Sequence, residues 1–193
     1  KCLQICKIIS ERDNRASGMV KYMKTNQMLE ILIEKWQLDH ARKKSDEMGI
    51  LNNSIREGKG NFIGFLGEII VANYLNIVDN NTYQYDLIYK GKKIEVKTKE
   101  RTVPPQLNYN ATVAAFTQPQ QCDFYVFNSI LKDFSKGWIC GIIEKEKFYK
   151  NATFNKKGEP ETTIFNFRAD CYNLPYSKLD DLNEILNTSV GTV

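Results

Sequence analysis

Apolar and polar residues alternate through residues 85–100, YDLIYKGKKIEVKTKE, in two short runs broken at Lys90-Gly91. Period-two alternation on either side of a Gly-containing dipeptide predicts a β-hairpin. With Lys90 and Gly91 as the loop, Tyr89 pairs with Lys92, and counting back along both strands sets Asp86 opposite Glu95 on one face. The period is different upstream. Met28, Leu29, Leu32, Ile33, Trp36 and Leu38 or Ala41 recur at helical spacing, which predicts an amphipathic helix from about Asn26 to Met48, stopped by Gly49. A second, compact helical pattern covers residues 64–76, after the glycines at 58, 60 and 64.

The remaining pattern is dominated by strands. Residues 1–9 read as a short strand and Arg12 to Gly18 as a loop. Thr102 to Gln121 carries Pro104, Pro105 and Pro119 and reads as a loop enclosing a short strand or helix. CDFYVFNSI and GWICGIIEKEKF are apolar runs rich in β-formers, the second leading into a short helix at Glu144 to Tyr149. TIFNFRADCYNLP predicts a late strand, and SKLDDLNEIL a terminal helix with Ser177 as its N-cap. The fold class expected is α/β with a mixed sheet.

Length and composition suit one domain: 193 residues, 42% hydrophobic and 26% charged. No apolar run is long enough to span a bilayer and the N-terminus lacks the apolar centre of a secretory signal, so a soluble, intracellular (cytoplasmic) protein is expected. Five cysteines, at positions 2, 6, 122, 140 and 171, show no CxxC spacing and read as reduced structural thiols. The glycines before the second helix fit neither GxxxxGK[ST] nor GxGxxG, which argues against a nucleotide-binding loop. His40 is the only histidine and no nucleophile motif accompanies it, so a helix-surface or packing role is expected.

The acids change the picture. Like charges directly opposite on a sheet repel, so Asp86 facing Glu95 calls for a positive group between them. Lys97 lies two residues from Glu95 and shares its face, while Ile94 and Val96 point to the other. Glu68 has Gly64, Phe65, Val71 and Ala72 on the adjoining turns, so it faces inward. A carboxylate there must be hydrogen-bonded, paired with a core Lys or Arg, or protonated. Three acids and a lysine on one surface suit a hard divalent ion, Mg2+ or Mn2+, held by oxygen ligands. Metal at Asp86 and Glu95 would polarise a phosphoryl oxygen and acidify a water, Lys97 would orient that water or stabilise the building charge, and Glu68 would ligate a second ion or hold the water shell.

GFLGE, then YDL, then EVK, that is Glu68 on a helix, Asp86 on a strand and Glu95-Val96-Lys97 on the next, resembles the PD-(D/E)XK nuclease superfamily of restriction enzymes, Holliday-junction resolvases and exonucleases. The resemblance covers about residues 60–130. It implies a restriction-endonuclease-like αβββαβ core, with Glu68 on the first core helix and the metal acids on the second and third strands. It also implies Asp86, Glu95 and the Val96 backbone carbonyl as metal ligands. Asp86 follows Tyr85 where the family motif has Pro. On this reading residues 1–193 form one nuclease domain: 1–50 an N-terminal helical extension, 60–130 the catalytic core, and 131–193 the C-terminal strands and helix.

A net charge of +4 permits a polyanionic partner. Lys99 and Arg101 beside the acids, Arg56 and Lys59 before the Glu68 helix, and Arg42, Lys43 and Lys44 on the first helix are the expected phosphate contacts. Lys90 and Lys92 equally suit the protection of an edge strand. The activity expected is a Mg2+-dependent endonuclease acting on DNA, with a homodimer suited to double-strand cutting. A structure-selective nuclease of the resolvase type and a non-catalytic DNA-binding module are its alternatives. A Lys- and Asn-rich composition suits an AT-rich genome and, with the resemblance to compact nucleases, a phage or mobile-element origin.

Overall fold

The computed structural model describes residues 23–25, 28–48, 61–78, 85–115, 120–162 and 165–183. Their alternation builds β1 (Met23–Thr25), β2 (Met28–Leu32), α1 (Lys35–Met48), α2 (Asn61–Tyr74), β3 (Leu87–Tyr89), β4 (Lys92–Arg101), β5 (Asn110–Ala114), β6 (Phe124–Leu131), β7 (Lys136–Glu144), α3 (Lys145–Asn151), β8 (Thr153–Asn155) and β9 (Cys171–Pro175). A six-stranded sheet runs β1-β2-β7-β6-β4-β3, and a three-stranded sheet runs β5-β9-β8. Only the β4–β6 pair is parallel among the described pairings; the others are antiparallel. The class is a mixed α/β fold, and among the described residues no helix is long and apolar enough to cross a membrane.

Each face of the larger sheet has its own core. On one side Phe65, Leu66 and Ile70 of α2 pack with Ile94 and Val96 of β4, Val126 and Ile130 of β6, and Ala41 of α1. On the other, Tyr125 and Phe127 of β6 meet Phe148 of α3, Val113 of β5 and Leu174 of β9. A strand covered on both faces tolerates few polar side chains, which is why β6 is buried from Tyr125 through Ile130. Helix α2 comes unusually close to the sheet at Gly67. Asn128 Nδ2 donates to the Gly67 carbonyl at 3.0 Å, and a Cβ at position 67 would lie 1.9 Å from Thr98 Oγ1.

The hairpin has the expected register, with Tyr89 paired to Lys92 and Leu87 to Ile94. Lys90 (φ 48°) and Gly91 (φ 77°) both take the left-handed conformation, as a type I′ turn requires. Three expectations need correction. The helix foreseen from Asn26 begins only at Lys35, because Met28–Leu32 is drawn into the sheet beside β7, pairing Leu29 with Ile139 and Glu30 with Trp138. Gln37 Oε1 then accepts the Glu34 amide at 2.9 Å, half of a capping box that starts α1. Of the late strand, among the described residues, only Cys171–Pro175 forms. Ser177 lies within a 3-10 turn and its amide donates to the Leu107 carbonyl, so it is not an N-cap; the Asp181 carboxylate accepts the Asn183 amide at 2.8 Å, and the terminal helix expected beyond Asn183 lies outside the described residues. Among the described residues no helix lies between β4 and β6 and no strand between α2 and β3, and β5 occupies the crossover from β4 to β6, so the described elements do not by themselves show an αβββαβ order. Residues 1–18 lie outside the described residues.

Candidate active site

Alternation along β4 assigns its residues to two layers. Ile94, Val96 and Thr98 face α2, while Glu95, Lys97, Lys99 and Arg101 face the smaller sheet. Glu95 is 7% exposed, walled by neighbours on both sides of its strand. Its Oε1 accepts Lys97 Nζ at 2.6 Å and the Gln120 side-chain amide. Lys97 is about one-quarter exposed, at 26%, so its ammonium sits at the boundary between the buried carboxylate and solvent.

Asp86 precedes β3, and its amide donates to the Ile94 carbonyl at 3.0 Å. Its side chain reaches back to β4, where Oδ2 accepts the Val96 amide at 2.7 Å. The carboxyl is held well above the usual carboxylate range, first by burial and then by the negative charges of Glu68 and Glu95; the Val96 hydrogen bond and Lys97 oppose this without cancelling it. Asp86 therefore registers both of the other acids. Among the described residues no cationic side chain lies at ion-pair distance from it.

Glu68 arrives from α2 and is 13% exposed. Lys44 Nζ lies 3.3 Å from its Oε2 and 4.7 Å from the centre of the Phe65 ring. Glu68 and Glu95 thus both act on Asp86, and each of the two already holds a lysine. Asp86 and Glu95 offer oxygen atoms only, and the raised Asp86 carboxyl is the electrostatic condition that a bound cation relieves, so the donor chemistry fits a hard divalent ion. No group of three or more His, Cys, Asp or Glu side chains is drawn together at ligand spacing among the described residues. The fit therefore extends to a site centred on Asp86 and Glu95, with Glu68 set apart by Lys44.

The expected phosphate contacts divide. Arg42 and Lys43 are exposed on α1, in weak pairs with Asp39 at 3.8 Å and Glu47 at 3.9 Å. Lys44, expected beside them, is buried against Glu68 because it falls three residues after Ala41 on the helix face that packs on α2. Lys99 and Arg101 also turn inward. Lys99 Nζ donates to Thr112 Oγ1 at 2.6 Å, and burial, with Arg101 nearby, lowers its pKa to about 8. Arg101 donates to Ser129 Oγ at 3.0 Å and to the Tyr176 hydroxyl at 3.3 Å, with its guanidinium 4.5 Å from the Tyr109 ring centre. Both were expected on the phosphate surface, and the smaller sheet covers that side of β4 instead. Arg56 and Lys59 lie outside the described residues.

His40 is exposed on α1. Cys122 is buried and its thiol is pushed up to about 11 by burial and by Glu95, which leaves it a poor nucleophile. Cys140 and Cys171 are likewise free and buried. Two partners of the acids escaped the sequence reading. Lys44 was detectable from its helix phase relative to Ala41. Gln120 was not, because it reaches Glu95 from a Pro-containing loop with no periodicity to place it. A scan of the sequence against models of known protein families finds no match, and a search of curated proteins finds no significant one.

Proposed function

We propose that the chain is a divalent-metal-dependent nuclease that hydrolyses phosphodiester bonds in DNA, on a core related to that of the PD-(D/E)XK enzymes. The observation that carries this reading is the convergence of Glu68, Asp86 and the Glu95-x-Lys97 pair, with the Asp86 carboxyl raised by the other two acids. An ordinary salt-bridged hairpin would give Asp86 a lysine, and the turn lysines 90 and 92 are in sequence reach, yet Asp86 is left to the Val96 amide. The sequence of α2, then the β3–β4 hairpin, then a strand parallel to β4 is compatible with such a core, with β5 as an insertion in the crossover.

Asp86 and Glu95, with the Val96 carbonyl, are the residues that would hold Mg2+ or Mn2+. Bound there, such an ion supplies the charge that polarises a phosphoryl oxygen and makes water acidic near neutral pH. Lys97 is oriented by Glu95 at 2.6 Å, so its ammonium is fixed beside the reacting phosphate to hydrogen-bond the attacking water or the oxygen on which charge accumulates. Glu68, steadied by Lys44, sets the field at Asp86. Arg42 and Lys43 provide exposed positive charge for phosphates away from the cut. Cutting both strands of a duplex requires two such sites, and two copies of the chain supply them.

The test is incubation of purified protein with supercoiled, linear, single-stranded and branched DNA, each with Mg2+, Mn2+ or EDTA. Cleavage confined to the metal-containing reactions supports the reading. Preference for branched DNA assigns it to structure-selective nucleases. Binding without cleavage in any metal defeats the enzymatic reading and leaves a DNA-binding module.

A further inference from the structure

Gln120 stands just ahead of β6, and the chain around it is anchored beside Glu95. Its carbonyl accepts Lys145 Nζ from the first turn of α3. The Asp123 amide donates to the Lys93 carbonyl at 2.8 Å, and the Lys93 amide donates back to Asp123 Oδ2, also at 2.8 Å. The Lys145 amide donates to the Asp123 carbonyl at 2.9 Å, so the loop, the start of β4 and the start of α3 are tied together. From this anchored position the Gln120 side chain turns its NH2 group to Glu95 Oε1, the only orientation in which the amide matches an ionised carboxylate. Oε1 also accepts Lys97 Nζ at 2.6 Å, so two donors occupy the two lone pairs of one oxygen. On Asp86 it is Oδ2 that is held, by the Val96 amide at 2.7 Å. Among the described residues Glu95 Oε2 and Asp86 Oδ1 accept no hydrogen bond. Each carboxylate is divided into an oxygen held by the protein and an oxygen left for a cation.

We propose that Gln120 is a positioning residue of the metal site: by holding Glu95 Oε1 it makes Glu95 a ligand through Oε2 alone, and so favours a small octahedral ion over Ca2+. This deepens the metal-site reading and rests on it. Mg2+ and Mn2+ suit octahedral sites of single carboxylate oxygens and water, whereas Ca2+ takes about 6–8 oxygens and readily uses both oxygens of one carboxylate. For Glu95 to grip an ion with both oxygens, one of the two donors on Oε1 would have to leave. Glu95 is 7% exposed, so the displaced bond is poorly replaced by water. Lys97 alone does not impose this, because an oxygen with one donor keeps a lone pair. The second donor is Gln120, and its tie to Lys145 keeps the amide in place. Gln120 thus acts through Glu95 and has no contact of its own with the ion or the substrate.

The experiment titrates Mn2+ and, separately, Ca2+ into the full chain without DNA, by calorimetry, for wild type and Gln120→Met, with thermal melting in EDTA as the check on folding. Methionine matches glutamine in length and donates no hydrogen bond. The variant should bind Mn2+ about 10- to 100-fold more weakly, the usual effect of removing a group that orients a metal ligand. Its Ca2+ affinity should stay within about threefold of wild type or rise, because the freed lone pair lets Glu95 use both oxygens. The preference for Mn2+ over Ca2+ therefore falls about tenfold or more. An unchanged Mn2+ affinity overturns the proposal, and so does an equal loss for both ions, which is what a merely structural contact would give. If Gln120→Met fails to fold, Gln120→Ala, which introduces no new bulk, decides by the same criteria. Absence of Mn2+ binding in wild type removes the metal-site reading itself, and this inference with it; binding in wild type with an unaltered preference in the variant overturns this inference alone.

Discussion

Replacing Gly67 with Ala should destabilise the protein although alanine is the better helix former. Gly67 precedes Glu68 on α2 and rests on Thr98 of β4. An added methyl carbon would lie 1.9 Å from Thr98 Oγ1, 2.9 Å from its Cβ and 3.1 Å from its Cγ2. Rotating Thr98 does not solve this, because its Cβ is fixed by the strand backbone. Optimal separation of such atoms is about 3.5–4.0 Å, so helix and sheet must part by roughly 1 Å or more. That movement also stretches the 3.0 Å bond from Asn128 to the Gly67 carbonyl. Overpacking costs about 1–3 kcal/mol and a weakened buried hydrogen bond about 1 kcal/mol. Helix propensity returns about 1 kcal/mol, leaving a net loss of about 1–3 kcal/mol from these three effects. Gly64, on the same helix, has no atom within 4 Å of an added Cβ, so Gly64→Ala should be neutral or stabilising by up to about 1 kcal/mol. Urea denaturation of the two variants reads both values. A Gly67→Ala protein as stable as Gly64→Ala would refute the close approach, and with it the way Glu68 is delivered to the other acids.

Two further predictions concern the cations. Lys99 has a folded pKa of about 8 against an ordinary 10.5, so the fold favours its neutral form. The resulting deficit is complete below pH 8 and disappears as pH rises through 10.5; Lys99→Met should gain about 2 kcal/mol at pH 7, after about 1 kcal/mol for the lost Thr112 bond, and should be less stable than wild type by up to about 1 kcal/mol above pH 10.5, where only the lost bond counts. Equal differences in denaturation free energy at pH 7 and pH 10 would refute this. Neutralising Arg42 or Lys43 should lower the slope of log affinity for duplex DNA against log salt by about 0.9 each, whereas Lys99→Met should leave it unchanged. A slope that responds to Lys99 and ignores Arg42 and Lys43 would place the DNA face on the other side of β4.

The hairpin was legible in the sequence because its determinants are local. Lys90-Gly91 satisfies a turn with two positive φ angles, and strand alternation then fixes Leu87 against Ile94, which leaves Asp86 close enough for its carboxyl to feel Glu95. Lys97 followed from the same alternation, and Glu68 from small and apolar neighbours at helical spacing. The features that escaped depend on partners distant in sequence. Met28–Leu32 shares helical spacing with Trp36 and Ala41, yet the open edge of β7 takes it as a strand. Lys99 and Arg101 share the Glu95 face as expected, but whether that face meets DNA or protein is decided by β5 and β9, which return from later in the chain. Ser177 has the right chemistry for a cap, and its position is set instead by the bond of its amide to Leu107. Lys44 lay within a basic run that looked like a solvated face, and only the helix phase from Ala41 separates it from Arg42 and Lys43.

The most direct test of the central claim, that the opposed acids exist to share a cation, is the thermal midpoint of wild type and Asp86→Asn, each in EDTA and in excess Mg2+. The Asp86 carboxyl is raised in the folded protein, so its favourable contribution is present below its unfolded pKa, near 3.8, and is lost as pH rises through the folded value. At pH 7 without metal the wild type therefore bears the cost of a carboxyl buried beside Glu68 and Glu95 that Asn avoids, while the Asn side-chain oxygen can still accept the Val96 amide. The variant should melt at or above wild type in EDTA. The cross-strand share of that difference is a few tenths to about 1 kcal/mol. Mg2+ at about 100 times its dissociation constant should stabilise wild type by about 2.7 kcal/mol, with a clearly smaller effect on Asp86→Asn. A variant less stable than wild type in EDTA, with an equal response of both proteins to Mg2+, would contradict the account and return Asp86 and Glu95 to an ordinary structural role.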